Sequence, residues 1–557
     1  MTALLSDLRL QVSWTRLLSV VEEQAQTLVR TAFSATVRDA GDLSCAVFDI
    51  QGRLLAEAVT GTPGHVNSMA EGVRHFLARY PARTMSAGDH YITNDPWMTA
   101  GHLHDITVVS PVFHRGRIIG LLGCCCHQVD IGGLGQGPDA KSIFEEGLQI
   151  PIMKLVSQGR INEDLMEILR ANVRTPLQAE GDVLSYIAAN ETGARRLCAM
   201  LDEFDLEALD EVADYIIERS LVATRREIAK LPKGTWRNEI VIDGYADPIT
   251  LRASVTIADD EILVDYEGSD AAVPHGINVV LNYCKAYTIF GLKCVVSPEV
   301  PNNAGALTPF RVKAPEGSIL NVQRPWPVAA RHMIGQMLPD LVFGCLDQAL
   351  PGRIPAEGAS CLWIVQLRGA ALRARGDRVG ETFETVFMTS GGSGARRRQD
   401  GLDATAFPSG VKAMPVEVIE AGAPIVIWRK ELRADSGGAG RQRGGVGQVV
   451  EVGSRDGGAF QVLAMFERVT HPASGRDEGQ DGARGVVRLA SGGTLRAKGL
   501  QVIPAGDRLV LETAGGGGLG DPAARARTAI AQDIDSGLLT IGAAERDYGW
   551  EERESAT

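Results

Sequence analysis

Histidines are unevenly placed along this chain. Seven of the ten histidines in 557 residues fall within a stretch of 63 residues. They are His65, His75, His90, His102, His104, His114 and His127. Imidazole is a frequent metal ligand and the side chain that most readily exchanges protons near neutral pH. The stretch is therefore the first indication of where the chain carries chemistry.

The tightest part of this stretch is Gly-His-Leu-His-Asp at 101–105, with His127 following 25 residues after His102. His102 and Asp105 lead into the apolar segment DITVVSPVF, and His127 ends the next one, GRIIGLLGCCC, so the two segments predict a β-hairpin. Such a hairpin would bring two imidazoles and a carboxylate to one end of the sheet. That is a donor set for Zn, Mn or Fe(II). Buried, hydrogen-bonded histidines at strand ends are the alternative.

Other carboxylates accompany these histidines. Asp42, in GDLSCAVFD, is either a further ligand or a turn residue. Glu145 and Glu146, in SIFEEG, could supply a general base to a metal-bound water, although a solvated helical turn is the simpler interpretation. Cys124, Cys125 and Cys126 would alternate between the two faces of a strand, which favours core packing over a three-thiolate site.

Composition and charge exclude several classes of protein. The formal net charge of −13 disfavours a broad nucleic-acid surface. No apolar run approaches a membrane span, and no basic, apolar and small-residue sequence suggests a secretion signal, so we expect a soluble, cytoplasmic protein. The glycine-rich stretches at 391–398, 435–445 and 515–522 contain no GxxxxGK[ST]. Their glycines indicate tight turns and close backbone approach, not a nucleotide site.

The order of predicted elements indicates an α+β protein of several domains. We expect an N-terminal metal-site region with a helical segment at 1–232 and a central α/β region at 233–430. A Gly-rich, mainly β region would follow at 431–525, and a helical tail at 526–557.

Several motifs, in order along nearly the whole chain, resemble the hydantoinase B/oxoprolinase family. They are DLSCAVFD, NDPW…GHLHDITVVSPVF, HQVDIGG, IFEEGLQIP, PNNAGALTPFRVKAPEGSILN, PVAARH, RADSGGAGRQRGG and GGGGLGDP. The resemblance implies that His102 and His127 bind a divalent metal (Zn, Mn or Fe), with Asp42, Asp105 or both as carboxylate ligands. Together with the residue chemistry above, this makes Asp105 and Glu146 the catalytic candidates. Many members have proline at position 104 and histidine at 128, where this chain has His104 and Gln128.

The resemblance also implies a division of labour. A companion A-type subunit with an actin-like ATPase fold would use ATP and Mg to phosphorylate the substrate, in a hetero-oligomer expected to be α2β2. This chain would then open the activated ring as part of an ATP-dependent cyclic-amide hydrolase acting on a hydantoin, 5-oxoproline or a lactam. A subunit of an acetone- or acetophenone-type ketone carboxylase and a non-catalytic scaffold for the ATPase are the alternatives. Neither a nucleic acid nor a membrane is an expected partner.

Overall fold

A computed structural model describes residues 2–59, 61–370 and 382–551. It contains helices and mainly antiparallel sheets, which confirms the α+β prediction. Across those ranges, none of the helices combines the length and the apolar character that a bilayer crossing requires.

The four longest helices lie in the first half of the chain, which contains fewer glycines than the second half. They are α1 Thr2–Thr31, α2 Ala35–Arg38, α3 Pro63–Arg79, α4 Glu163–Asn172, α5 Pro176–Glu203, α6 Asp210–Ala229, α7 Leu281–Val296, α8 Ala304–Leu307, α9 His332–Gly335, α10 Leu338–Ala349, α11 Val416–Gly422, α12 Arg527–Asp535 and α13 Ile541–Tyr548. The helical segment expected within residues 1–232 is present, and between residues 163 and 229 it consists of α4, α5 and α6.

The strands lie between residues 43 and 512. They are β1 Leu43–Phe48, β2 Leu54–Glu57, β3 His90–Thr93, β4 Asp105–His114, β5 Arg117–His127, β6 Met153–Ser157, β7 Arg160–Ile161, β8 Gly234–Ile242, β9 Ile249–Ile257, β10 Ile262–Asp265, β11 Phe310–Lys313, β12 Trp363–Ala370, β13 Thr382–Thr389, β14 Ile425–Leu432, β15 Gln448–Ser454, β16 Phe460–Met465, β17 Val486–Leu489, β18 Lys498–Ile503 and β19 Arg508–Glu512. They form one seven-stranded and three four-stranded sheets.

The seven-stranded sheet carries the histidine-rich stretch. Its strand order is β2-β1-β5-β4-β3-β6-β7. The predicted hairpin β4–β5 is formed, and β1 and β2 form a second hairpin. Leu17 of α1 and Leu201 of α5 belong to one apolar cluster on this sheet, and Met69 and Phe76 of α3 belong to another. Because helices cover both faces, β4 and β5 are buried along most of their length.

The chain divides into two compact units. The first contains the residues up to Trp236 together with Ala253–Arg331 and Ser409–Met414. The second contains Arg237–Arg252, His332–Pro408 and the chain from Pro415 onward.

The glycine-rich segments of the second unit pack around one short extended segment, Gly515–Gly518, which belongs to none of the β-strands. The N–H groups of Gly515 and Gly518 both donate to one neighbouring segment, at Ala483 O (3.0 Å) and Gln480 O (2.8 Å). Those of Gly516 and Gly517 donate to two others, at Gly445 O (2.9 Å) and Glu357 O (2.8 Å). The segment at 480–483 thus contacts Gly515 and Gly518, which are three residues apart. Three residues per turn is the repeat of a polyproline II helix.

Side chains have no room in this arrangement, which we call the glycine bundle. A Cβ added to any of the four central glycines would lie within 2.2 Å of a neighbouring carbonyl oxygen. The oxygens belong, in order, to Ser436, Ser393, Ser474 and Ala439. The expected close approach of backbone segments is confirmed. Backbone packing explains why glycine is needed at these positions, so no phosphate-binding role has to be invoked.

Candidate metal centre

The hairpin β4–β5 creates the centre of the site. Asp105, the first residue of β4, lies directly opposite His127, the last residue of β5. His102 precedes β4 by one turn, and its carbonyl accepts a hydrogen bond from the Asp105 N–H (3.4 Å). On the other side of β5, the His127 N–H donates to the carbonyl of Asp42 (3.2 Å). All four predicted ligands therefore come from the same end of the sheet.

Three of these side chains converge on one carboxylate oxygen. Oδ1 of Asp105 lies 2.7 Å from Nε2 of His102 and 3.1 Å from Nδ1 of His127. The two imidazole centroids are 5.2 Å apart, and all three side chains are buried. The structure thus brings His102, Asp105 and His127 together as a set that could hold a metal ion.

The second oxygen of Asp105 has different neighbours. Its Oδ2 lies 3.0 Å from Nε2 of His65, near the start of α3, and accepts a hydrogen bond from the Arg331 guanidinium. Arg331 also donates to the carbonyl of Ala100 (2.7 Å). Asp42 is not part of the convergent set, and its Oδ1 is 3.7 Å from the same His65 nitrogen.

Sequence reasoning did not assign His65 or Arg331 to the site. His65 belongs to the histidine-rich stretch and Arg331 to the PVAARH motif, so each carried a signal. Neither signal specified a contact with Asp105, because both residues reach it only through the folding of distant segments.

The donor atoms fit a divalent cation. Nε2 of His127 is buried and has no hydrogen-bond partner within the described ranges, and the polar neighbour of the buried Nε2 of His102 is the Asp105 oxygen at 2.7 Å. Buried polar nitrogens without partners are costly unless a ligand satisfies them. A second possible set, His65, Asp105 and Cys125, is less suitable for a cation because the Arg331 guanidinium already occupies the Asp105 oxygen that this set would use.

The protonation states also suit a metal ion. Burial, assisted by the positive charge of Arg331, lowers the pKa of His102 to about 3, so this imidazole is neutral at pH 7. Burial alone would raise the pKa of Asp105, but the neighbouring His65 and Arg331 hold it well below its usual range. Neutral imidazole and ionised carboxylate are the forms that coordinate metals.

The tautomer of His102 is set by the backbone. Its Nδ1 lies 2.9 Å from the carbonyl oxygen of Ala329, which can only accept a hydrogen bond. Nδ1 therefore carries the hydrogen, and the lone pair of Nε2 remains available beside Asp105.

Glu146 is buried, so the interpretation of its motif as a solvated turn is wrong for this residue. Its Oε1 accepts hydrogen bonds from the N–H groups of Val328 (2.5 Å) and Ala329 (2.8 Å). Its Oε2 is buried and has no hydrogen-bond partner in the part of the chain that is described. Burial raises the pKa of Glu146 to about 8, despite the two backbone hydrogen bonds.

The two positions that depart from the family pattern adjoin the same centre. The ring of His104 lies 5.6 Å from that of His127 and is nearly parallel to it, at 14°. The backbone N–H of Gln128 donates to the carbonyl of His104 (2.7 Å), and the Gln128 side chain turns to the hydroxyl of Tyr186.

Comparisons with known proteins agree on one family. The family model described as hydantoinase B/oxoprolinase matches residues 6–522. The beta chain of caprolactamase from Pseudomonas jessenii is 30% identical over 95% of this chain and 93% of its own length. The B chain of a putative D-/L-hydantoinase from a Pseudomonas strain is 29% identical over 98% of this chain and 95% of its own.

Solved structures show the same fold. The crystal structure of the ATP-dependent caprolactamase from Pseudomonas jessenii matches with a TM-score of 0.88 and 27% identity, over 98% of this chain and 97% of that one. A nucleotide-free acetone carboxylase matches with a TM-score of 0.85 over 99% of this chain and 80% of that one. Its 20% identity shows the shared fold alone.

Proposed function

Because the chain belongs to the hydantoinase B/oxoprolinase family, we propose that it is the metal-bearing subunit of an ATP-dependent cyclic-amide hydrolase. Its substrate would be a hydantoin, 5-oxoproline or lactam ring that a partner ATPase has activated by phosphorylation. Two similar proteins are named as one of several subunits, in a hydantoinase and in a caprolactamase, and these names support the existence of a partner.

The observation that carries the proposal is the buried set of His102, Asp105 and His127 around one carboxylate oxygen. We propose that this set, with Asp42 as a further candidate, binds one divalent ion of Zn, Mn or Fe. Such an ion lowers the pKa of a coordinated water toward neutrality and so supplies a nucleophile at ordinary pH.

The protein's own residues have distinct roles in this proposal. Asp105 supplies Oδ1 to the ion, while Arg331 and His65 hold its Oδ2 and fix the plane of the carboxylate. Arg331 stacks on the ring of Tyr283, with its guanidinium carbon 3.9 Å from the ring centroid. The carboxylate of Asp105 and the ring of Tyr283 together restrict the Arg331 guanidinium before any substrate binds.

The glycine bundle supports the division of labour. Its glycines are used in backbone packing, and no GxxxxGK[ST] occurs in the sequence, so the proposed ATP chemistry is assigned to the partner. The proposed hetero-oligomer is α2β2, because closed twofold assemblies are the commonest among soluble proteins.

The experiment combines metal analysis with activity. We expect one divalent ion per wild-type chain, and loss of both the ion and ring opening in the double variant His102→Ala/His127→Ala. His75→Ala changes an exposed histidine of α3 and serves as the control, with metal content and activity unchanged. Undiminished metal in the double variant would refute the ligand assignment.

The second candidate function is a ketone carboxylase subunit, since acetone carboxylase has the same fold and the fold alone does not distinguish the two functions. The reconstituted complex separates the two functions. ATP-dependent opening of a cyclic amide supports the hydrolase, whereas incorporation of labelled bicarbonate into a ketone supports the carboxylase. Activity that survives complete removal of metal from this chain would instead favour the scaffold alternative.

A further inference from the structure

Glu146 is a buried carboxyl group whose role the proposed metal site leaves open. We propose that Glu146 is a positioning residue that fixes the His102 ring through the backbone of Ala329, and not a group that exchanges protons with substrate. This inference rests on the proposed metal site, because the ring it positions is the proposed ligand.

The contacts form a short path. Oε1 of Glu146 accepts the N–H of Ala329 at 2.8 Å, and the carbonyl of Ala329 accepts Nδ1–H of His102 at 2.9 Å. The neighbouring N–H of Val328 is held by the same Oε1 at 2.5 Å. One carboxyl oxygen thus accepts the N–H groups of both Val328 and Ala329. The carbonyl of Ala329 in turn fixes the position and the tautomer of the His102 ring.

The segment needs such support because it is neither helix nor strand. It lies between β11 and α9, so no regular element satisfies its backbone groups. Two further contacts hold its neighbours: Asn278 donates to the carbonyl of Pro327 (3.0 Å), and the N–H of Ala330 donates to Gly276 (2.6 Å). Among these contacts, Glu146 is the group that binds Ala329, the residue whose carbonyl accepts the His102 hydrogen bond.

The protonation state supports the same role. Burial raises the pKa of Glu146 to about 8, so its neutral form predominates at pH 7. A neutral carboxyl still accepts two N–H hydrogen bonds through its carbonyl oxygen.

Two substitutions separate the roles. Glu146→Gln keeps an oxygen that can accept both N–H groups but has no acid–base chemistry. Glu146→Met keeps a similar length and removes the acceptor. Glu145→Gln, at the exposed neighbouring residue, is the matched control. Each chain is loaded with Mn²⁺ after chelation, and we measure the Mn²⁺ dissociation constant, the electron paramagnetic resonance spectrum and ring opening with the partner ATPase.

We expect Glu146→Gln and Glu145→Gln to retain wild-type Mn²⁺ affinity, spectrum and turnover. Glu146→Met should weaken Mn²⁺ binding roughly 10-fold or more, as for other groups that orient a ligand, and change the spectrum. In a His102→Ala background, Glu146→Met should cause no further loss, because Glu146 acts through that ring. Additive losses would overturn the inference.

Turnover lost in Glu146→Gln with Mn²⁺ binding intact would show proton transfer and also overturn the inference. If Glu146→Met does not fold, the glutamine variant alone decides between these outcomes. Wild-type protein that binds no Mn²⁺ and no other divalent ion would refute the proposed metal site itself. Wild-type protein that binds Mn²⁺ no better than Glu146→Met would refute only the role of Glu146.

Discussion

Asp105 is the residue on which the contacts of the site converge, with two imidazoles at one oxygen and His65 and Arg331 at the other. Asp105→Asn keeps the shape but removes the charge that attracts a cation and balances Arg331. We expect metal affinity to fall by roughly 10–100-fold. Competition with a chelating dye measures this directly.

ATP turnover and ring opening of Asp105→Asn should be assayed separately with the partner at saturating metal. Loss of ring opening with ATP turnover retained would place Asp105 in the second half-reaction. Wild-type rates in both assays would reduce it to a turn residue.

Glu146 also predicts a pH dependence of stability. Its pKa is about 8 in the folded protein, against about 4.3 for an ordinary glutamate. Between these values the unfolded chain releases a proton that the folded chain keeps, so this residue lowers the free energy of unfolding as pH rises, and the loss is complete above pH 8. In metal-free protein, Glu146→Gln should therefore gain stability over wild type from pH 5 to pH 8, by at most about 1.4 kcal/mol per pH unit.

Urea unfolding at pH 5, 6.5 and 8.5 measures this difference. Glu145→Gln is the control, since its side chain is exposed and should show no growing advantage. A difference between Glu146→Gln and wild type that is the same at all three pH values would contradict the prediction.

The sequence predicted the convergence of His102, Asp105 and His127 because a hairpin is local, and its pairing follows from two apolar strands and a short turn. The contact of Arg331 with Asp105 joins residues 226 positions apart, and that of Glu146 with Val328 joins residues 182 apart. No local pattern encodes such contacts. The polar sequence Glu-Glu-Gly is typical of an exposed turn. Nothing in it indicates that Glu146 is buried against the backbone N–H groups of Val328 and Ala329.

At the scale of elements, the glycine bundle makes the sharpest prediction. A Cβ at Gly516 would lie 2.0 Å from the carbonyl oxygen of Ser393, which belongs to an equally constrained segment. We expect Gly516→Ala to destabilise the protein by roughly 3 kcal/mol, the upper range for overpacking. The midpoint of urea unfolding measures the loss.

Gly542→Ala is the matched control. Gly542 lies in α13, and a Cβ there would meet nothing within 4 Å. Alanine in a helix is favoured over glycine by up to about 1 kcal/mol, so this variant should be as stable as wild type or more so. Equal stability of the two variants would contradict the packing of the bundle.

The elements were predictable to different degrees. The hairpins β1–β2 and β4–β5 and the helices after residue 163 follow from local periodicity and composition. Glycine content indicated close backbone approach in the second unit, but the threefold arrangement around Gly515–Gly518 joins segments far apart in the chain, such as Glu357 and Gln480. Periodicity within one segment cannot specify which others surround it.

At the scale of the whole molecule, we expect the isolated chain neither to bind ATP with micromolar affinity nor to hydrolyse it. The sequence holds no GxxxxGK[ST], and its glycine-rich stretches pack against backbone. Calorimetric titration of ATP and Mg²⁺ into the isolated chain tests this, with the reconstituted complex as the positive control. Micromolar binding by the isolated chain would refute the proposed assignment of ATP chemistry to the partner.

The position of Gly515–Gly518 along the chain has a consequence for biosynthesis. Every segment these glycines bind, from Glu357 to Ala483, is translated before them. Chains fold as they emerge from the ribosome, and the earlier domain generally folds first. The first unit can begin to fold while the second unit still lacks Gly515–Gly518, around which its glycine-rich segments pack. Nascent chains halted before residue 515 should therefore present segments whose carbonyl groups, at Glu357, Gly445, Gln480 and Ala483, lack the N–H groups that they accept in the folded protein. We expect such chains to bind chaperones.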